Sequence, residues 1–317
     1  MLYDTRVLDT NKGAALALEW STKCANSHET CNAVRGHGVL PKRILDLATS
    51  VEDVSLYVTQ GESVPYATLS YCWGSATSLK TLSSNLDAHR HGIPIEAMPT
   101  TLQDAVRLAR AMGFRYLWID ALCIVQDDPA DWAEQSAAMT DIYQRCTVNI
   151  AALDALDCDQ GLVPKLSNHS RVLASSAASG DPSYTRGWVF QETLVSPATL
   201  RCTSAGIQWE CCQEGWADLI RRQSTAQPSP APIYTWHQYV AEFADRRLSV
   251  PTDKLPAMAG VAARFSHLFN LTYAAGLWRE HFLSGLTWGR TTGTSLVRRV
   301  DRAPSWSWAS VDGQVAY

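Results

Sequence analysis

Short apolar runs alternate with amphipathic stretches over the middle of the chain, and this pattern predicts strands and helices in turn. Three runs have the length and the composition of buried strands, at residues 67–73, 116–120 and 147–153. Between them, apolar residues recur at helical spacing after Thr100 and again after Asp128. The order strand, helix, strand, helix, strand is typical of a parallel sheet built through crossover connections.

Both predicted helices begin with a capping signal. Thr100, followed by Gln103, predicts a capping box in which the threonine is the N-cap. Asp128, followed directly by Pro129, predicts an N-cap with proline in the first turn. We therefore expect helices that begin at these two positions.

The rest of the chain divides by composition. A hairpin is expected from residues 199–202 and 207–211, a surface loop from 166–184 and a linker from 223–232. Helical stretches at 235–244 and 254–268 precede a tryptophan-rich end. We predict three regions: an N-terminal lead segment packed on the core at 1–62, a central α/β domain at 63–222 and a mainly helical extension at 233–317.

The composition of the chain argues against several classes of function. The 317 residues are 46% hydrophobic and 18% charged, which is typical of a folded protein. A net charge of -4 without a basic stripe argues against nucleic-acid binding. The first residues lack the pattern of a secretory signal, and no apolar run has the length of a membrane span. We expect a cytoplasmic protein that binds neither nucleic acid nor membrane.

The sequence gives little indication of disulfides, of a metal site or of a phosphate-binding motif. Nine scattered cysteines fit reduced thiols better than a disulfide framework. Cys24, His28 and Cys31 share one face of a helix, and three such groups can bind zinc, but the spacing matches no standard site. No Gly-rich phosphate motif and no nucleophile elbow is present. We predict no metal and no required cofactor.

Three blocks place polar groups beside large rings, at residues 66–74, 117–126 and 186–192. Together they resemble the three motifs of the fungal heterokaryon incompatibility (HET) domain. Trp20 with Cys24, His28 and Cys31 lies upstream where that family often has similar spacing, and residues 304–310 resemble a downstream signature of the family. HET domains are regarded as distant relatives of the TIR fold, so the resemblance implies a TIR-like (flavodoxin-like) parallel sheet flanked by helices, here with an added β-hairpin.

The resemblance also implies a reaction. Residues 188–192 are similar to the Trp-Cys-x-x-Glu helix of TIR domains, whose glutamate is catalytic in the members that cleave NAD, although Val189 stands in place of the cysteine. By that likeness Glu192 is the catalytic residue and NAD is a possible substrate, and Asp120 is a second catalytic candidate. An aromatic such as Trp73 or Trp188 would stack on the leaving ring. In open α/β sheets ligands bind beyond the carboxyl ends of the strands, where the predicted strands place Trp73, Gly74 and Asp120. The substrate-binding candidates are Ser70, Tyr71, Trp73, Gly74, Cys123, Gln126, Arg186, Trp188 and Gln191.

Each of these side chains has a structural interpretation as well. Glu192 would cap or salt-bridge a helix, and Asp120 would accept backbone amides in the interior. Arg186 suits a dinucleotide phosphate or an ion pair with a carboxylate. Cys123 and Cys72 fit the role of small core residues better than the role of nucleophiles.

Three functions remain open from the sequence. The first is a HET-type effector of self/non-self recognition and cell death, acting by NAD cleavage with a separate sensor protein or as a homo-oligomer. The second is a non-catalytic TIR-like adaptor that signals by self-association. The third is a stand-alone enzyme of secondary metabolism, a Diels-Alderase-like cyclase whose small-molecule substrate fits an apolar pocket lined by some of the twelve tryptophans.

Overall fold

The computed structural model describes residues 11–34, 38–74, 79–163, 187–204, 206–212, 232–246, 248, 250–291 and 295–317. The chain forms two compact units. The first consists of Met1–Ser183 with Val195–Asp218, and the second of Tyr184–Leu194 with Leu219–Tyr317. None of the described helices is both long enough and apolar enough to cross a membrane.

A mixed eight-stranded sheet forms the centre of the first unit, with the order β4-β2-β1-β5-β3-β6-β7-β8. Its strands are β1 (Arg43–Asp46), β2 (Asp53–Val58), β3 (Ala67–Ser70), β4 (Ile93–Pro94), β5 (Tyr116–Trp118), β6 (Val148–Ala152), β7 (Ala198–Thr203) and β8 (Gly206–Cys211). The four central strands β5, β3, β6 and β7 run parallel. This confirms the predicted α/β class with a parallel core and flanking helices.

The central strands read as buried segments because both of their faces are covered. Every residue of β3, β5 and β6 is buried. Trp118 of β5 packs edge-on against Tyr143 with the ring centroids 5.6 Å apart, and the Tyr143 hydroxyl donates to the Leu69 carbonyl oxygen at 3.0 Å. These contacts fix the strands whose ends carry the candidate site.

Antiparallel strands extend the sheet on both sides. The β7–β8 hairpin is confirmed, with Ala198 opposite Cys211. On the other side, β1 pairs with both β2 and β5, so the sheet continues into residues 43–58. Two helices precede these strands, α1 (Asn11–Ser27) and α2 (Glu29–Val34).

The helices of the central region are α3 (Leu86–His91), α4 (Thr100–Ala111), α5 (Asp120–Cys123) and α6 (Pro129–Arg145). The cap of α6 is confirmed, because the Asp128 carboxylate accepts from the amides of Ala130 and Asp131. The capping box of α4 is wrong. The N-cap of this helix is Pro99. The side-chain amide of Gln103 donates to the Met98 carbonyl oxygen, and the backbone amide of Thr101 donates to the Cys158 carbonyl oxygen at 2.8 Å.

The second unit combines helices with small antiparallel pairs. Its helices are α7 (Gly187–Val195), α8 (Pro232–Ala244), α9 (Pro256–Phe269) and α10 (Phe282–Gly285). The last residue of α7, Val195, is also the first residue of the second segment of the first unit. Two-residue strands pair as β9 (Tyr273–Ala274) with β10 (Leu277–Trp278), β11 (Gly289–Arg290) with β14 (Val315–Ala316), and β12 (Val297–Arg298) with β13 (Val311–Asp312). The predicted helices of this region are present, and the ladders are an addition.

Tryptophans fill the interior of the second unit. Trp236, Trp278 and Trp308 are fully buried, and the rings of Trp236 and Trp278 meet edge-on with centroids 4.9 Å apart. The indole N–H groups of Trp236 and Trp308 both donate to the Gly276 carbonyl oxygen, at 3.0 and 2.9 Å. These three indoles therefore act as packing groups around one backbone turn.

Candidate functional site

Two predicted site residues meet at the carboxyl-terminal edge of the parallel strands. Trp73 follows β3, and Asp120 follows the neighbouring strand β5. The Trp73 indole N–H donates to Asp120 Oδ2 at 2.9 Å, and both side chains are half-buried. In open α/β sheets, ligands bind beyond this end of the strands. The strand order therefore creates an aromatic–carboxylate pair at the place where such folds bind ligands.

Asp120 is held by its own turn as well as by Trp73. Where the sequence predicts the end of a strand, Asp120 begins α5, and its Oδ1 accepts from the Ala121 amide at 2.7 Å. The Gln126 side chain donates to the Asp120 carbonyl oxygen at 3.1 Å, which closes the turn after α5. Bonds to both carboxylate oxygens therefore fix the orientation of the Asp120 side chain.

Gly74 forms the next part of this edge because of its backbone. Its φ is +73°, and an added Cβ would collide with the Asp157 carboxylate. Asp157 follows β6, the neighbour of β3 on the side opposite β5. Only glycine allows the Asp157 carboxylate to come this close to the chain. Trp73, Gly74, Asp120 and Asp157 thus line one carboxyl-terminal edge, which is called the sheet edge below.

Three further candidates lie in the interior. Ser70 is 1% exposed, and its hydroxyl donates to Asn149 Oδ1 at 3.1 Å, while the Asn149 amide donates to Ser70 Oγ at 3.0 Å. Tyr71 is buried too. Cys123 is fully buried, and burial raises the pKa of its thiol to about 12, so it is protonated at neutral pH.

The remaining described candidates lie on α7, in the second unit. Trp188 donates its indole N–H to Asp253 Oδ2 at 3.1 Å, and burial raises the pKa of Asp253 despite this bond. Gln191 is buried, and its Oε1 accepts from the Gly260 amide of α9 at 3.0 Å. Glu192 is 6% exposed. Arg186 lies outside the described residues. The substrate contacts predicted for all these side chains stay predictions.

Asp157 and Asn149 were not among the residues predicted from the sequence. Asn149 is a buried polar residue inside β6 that joins β3 through Thr68 and Ser70. Asp157 lies in a polar segment just after a predicted strand, and the rule that placed Asp120 at the ligand-binding end applies to it equally. Asp157 was not predicted because it lies outside the three aromatic blocks, from which the site residues were chosen.

Two groups in the described part of the first unit bring possible metal ligands within 4.8 Å of one another. Asp157, Cys158 and Asp159 form the first, in which Asp159 is exposed and meets water. The second group consists of Cys24, His28, Cys31 and Cys211, all buried.

Residues 66–180 match the family model described as heterokaryon incompatibility protein (HET). The chain carries a HET domain. No curated protein and no solved structure matches the chain. The match includes the whole sheet edge of the HET domain, from Trp73 to Asp157, whereas Glu192 lies beyond its last residue. The domain indicates a role in heterokaryon incompatibility.

The HET domain's sheet edge offers a defined chemistry. The Trp73 ring gives an apolar face, and the two carboxylates accept hydrogen bonds from hydroxyl groups. A carboxylate at this end of an α/β sheet is the group that binds ribose hydroxyls in dinucleotide-binding folds. The arrangement therefore suits a ligand that combines a flat ring with a sugar diol.

Proposed function

We propose that the protein is a HET-domain effector of self/non-self recognition and cell death that acts by hydrolysing NAD. The pair formed by Trp73 and Asp120 carries this proposal, because it combines a ring face with a sugar-binding carboxylate inside the HET match. The proposal extends the resemblance of the three sequence blocks to TIR domains that cleave NAD.

The order of the parallel strands supports a TIR-like fold. Numbered along the chain, the four parallel strands β3, β5, β6 and β7 become 1 to 4, and their order across the sheet is 2-1-3-4. Flavodoxin-like sheets have the order 2-1-3-4-5 and bind ligands at the switch point between strands 1 and 3. Here the corresponding strands are β3 and β6, after which Gly74 and Asp157 lie.

The proposed reaction needs few catalytic groups. Water adds to the ribose C1′, the bond between C1′ and the nicotinamide nitrogen breaks, and the electrons of that bond leave with neutral nicotinamide. The products are nicotinamide, ADP-ribose and one proton. As in glycoside hydrolysis, the transition state resembles an oxocarbenium ion, so a carboxylate that stabilises positive charge accelerates the step. By its likeness to the glutamate of TIR domains that cleave NAD, we assign this role to Glu192.

The test is release of nicotinamide from NAD, followed by chromatography, at protein concentrations high enough for self-association. The wild type is expected to release nicotinamide, and Glu192→Gln is expected to lower kcat at least 100-fold, as is typical for loss of an electrostatic stabiliser. Glu96→Gln changes an exposed carboxylate in the same way and is expected to be silent.

Two results would contradict the proposal. If the wild type releases no nicotinamide, the NAD reaction is wrong. If release continues unchanged in Glu192→Gln, the reaction stands but the assignment of Glu192 is wrong.

A further inference from the structure

Three cysteines and a histidine come together in the first unit, outside the sheet edge. Cys24 lies on α1, His28 between α1 and α2, and Cys31 on α2. Helical hydrogen bonds continue across the junction, from the His28 amide to the Cys24 carbonyl oxygen and from the Asn32 amide to the His28 carbonyl oxygen. The three side chains therefore share one face, and the fourth, Cys211, comes from the end of β8.

The distances match a tetrahedral metal site. Cys211 Sγ lies 3.4 Å and Cys31 Sγ 3.8 Å from His28 Nδ1. All four ligand atoms lie within 4.8 Å of one another. In a tetrahedral zinc site with Zn–S of about 2.3 Å and Zn–N of about 2.0 Å, neighbouring ligand atoms lie about 3.5 to 3.8 Å apart. The ligand atoms thus need only small movements to surround one ion.

The cluster is closed to water. Cys24 and Cys31 are 0% exposed, and His28 and Cys211 are each 4% exposed. Catalytic zinc sites keep one position open for water or substrate, whereas structural sites are filled by four protein ligands. A buried set of three thiols and one imidazole has the donors and the closure of a structural Cys3His site.

Other buried cysteines of the chain show what packing alone produces. Cys146 and Cys202 are fully buried, and each thiol lies against a backbone carbonyl oxygen, of Tyr143 at 3.1 Å and of Leu200 at 3.9 Å. The cluster differs because its thiols face one another and an imidazole. Hydrogen bonds to neighbouring thiols, with burial, raise the pKa of Cys24 and Cys31 well above the ordinary value. Coordination to a divalent cation reverses such a shift, because a bound thiol is deprotonated.

We propose that Cys24, His28, Cys31 and Cys211 bind one structural zinc ion that fastens the N-terminal helices to the end of the β7–β8 hairpin. Thiolate and imidazole ligands in tetrahedral geometry favour zinc over magnesium, calcium or manganese, which take oxygen ligands. The site joins segments that are 183 positions apart in the chain.

The first test is the metal content of the full chain, purified without chelator and measured by mass spectrometry of the elements. We expect about one zinc ion per chain, as for a four-coordinate structural site. Absence of stoichiometric zinc, also after incubation with zinc chloride and gel filtration, would overturn the proposal. Stoichiometric iron would overturn the assignment to zinc.

The second test uses matched variants. Cys211→Ser is expected to lose the zinc, whereas Cys202→Ser, a buried cysteine on the other strand of the same hairpin, is expected to keep it. Equal zinc content in the two variants would contradict the assignment. Because Cys211→Ser can fail to fold, His28→Cys is compared with His28→Ala. The first keeps four ligands and is expected to retain zinc, and the second is expected to lose it.

Cobalt gives a readout that is independent of folding yield. The metal-free wild type titrated with Co²⁺ is expected to show the visible absorption of a tetrahedral site and the near-ultraviolet band of cobalt–thiolate charge transfer. Both should saturate at about one equivalent, as one four-ligand site requires. A pale octahedral spectrum without a thiolate band would exclude coordination by the cysteines.

Discussion

The sheet edge and the Cys–His cluster formed by Cys24, His28, Cys31 and Cys211 are both polar groups on the first unit, but they differ in closure. At the sheet edge, Trp73 and Asp120 are half-buried. In the Cys–His cluster, each side chain is at most 4% exposed. An open set of acceptors suits a ligand that enters and leaves, whereas a closed set of thiols suits an ion that stays. The first unit thus keeps a proposed ligand-binding edge apart from a proposed metal site.

The largest expected effect comes from removing zinc from the cluster. Zinc at about 1,000 times its Kd stabilises the folded state by about 4 kcal/mol. Dialysis against a chelator should then lower the Tm of the wild type by roughly 10 °C, as measured calorimetrically. Cys211→Ser should not respond to the chelator. If the chelator leaves the Tm of the wild type unchanged, the cluster does not bind a stabilising zinc ion and is an ordinary part of the core.

Next in size is Gly74→Ala at the sheet edge. The φ of +73° and the predicted contact with Asp157 should together destabilise the fold by about 2 to 3 kcal/mol. Gly113→Ala is the matched control, because its φ is +82° but nothing lies within 4 Å of the added Cβ. We expect about 1 kcal/mol for the control, from the backbone alone. Equal losses in urea unfolding would show that Asp157 does not constrain Gly74.

An effect of comparable size is expected at a buried histidine outside the cluster. Burial, with a minor contribution from His281, lowers the pKa of His237 in the second unit from 6.5 to about 4. The unfolded chain therefore binds more protons between these values, so this contribution to stability is present above pH 6.5 and is lost as the pH falls towards 4.

The loss between pH 7 and pH 4 should amount to roughly 3 kcal/mol. His237→Phe keeps a ring against Tyr317, on which His237 stacks with the ring centroids 3.6 Å apart, and should remove this part of the pH dependence. Urea unfolding at pH 7 and pH 4 measures it. If the free energy of unfolding falls equally in the wild type and the variant between pH 7 and pH 4, the assignment of this pH dependence to His237 is wrong.

The smallest effect sharpens the description of the sheet edge. A double-mutant cycle of Trp73→Phe and Asp120→Ala measures the bond between the two side chains, because each variant removes one partner of the bond. We expect a coupling of about 1 kcal/mol in the free energy of unfolding, because the bond involves a charged acceptor but is half open to water. A coupling indistinguishable from zero would mean that the pair does not hold together in solution.

Local signals in the sequence predicted much of the fold. Asp128 with Pro129 marked the start of α6 correctly, because that cap needs only neighbouring amides. The capping box at Thr100 failed because a distant group replaced it, namely the Cys158 carbonyl oxygen that accepts from the Thr101 amide. Where a tertiary partner satisfies the end of a helix, no side-chain cap is needed, and a local pattern does not reveal the partner.

The sites show the same limit. Trp73 and Asp120 were placed together because each follows an apolar strand, and the ends of parallel strands meet at one edge. Cys24, His28 and Cys31 also read correctly as one helical face. The fourth member was not found, because Cys211 reaches His28 only through the sheet, 183 positions along the chain. Three ligands without the fourth matched no standard zinc spacing, and this led to the expectation of no metal.

The most direct test of the sheet edge as a ligand-binding site is the nuclear magnetic resonance signal of the Trp73 indole N–H during titration with NAD. Comparison with Trp73→Phe identifies this signal among those of the twelve tryptophans. We expect a saturable shift of the Trp73 signal that is weakened in Asp120→Asn. A Trp73 signal that stays unchanged at saturating NAD would contradict it.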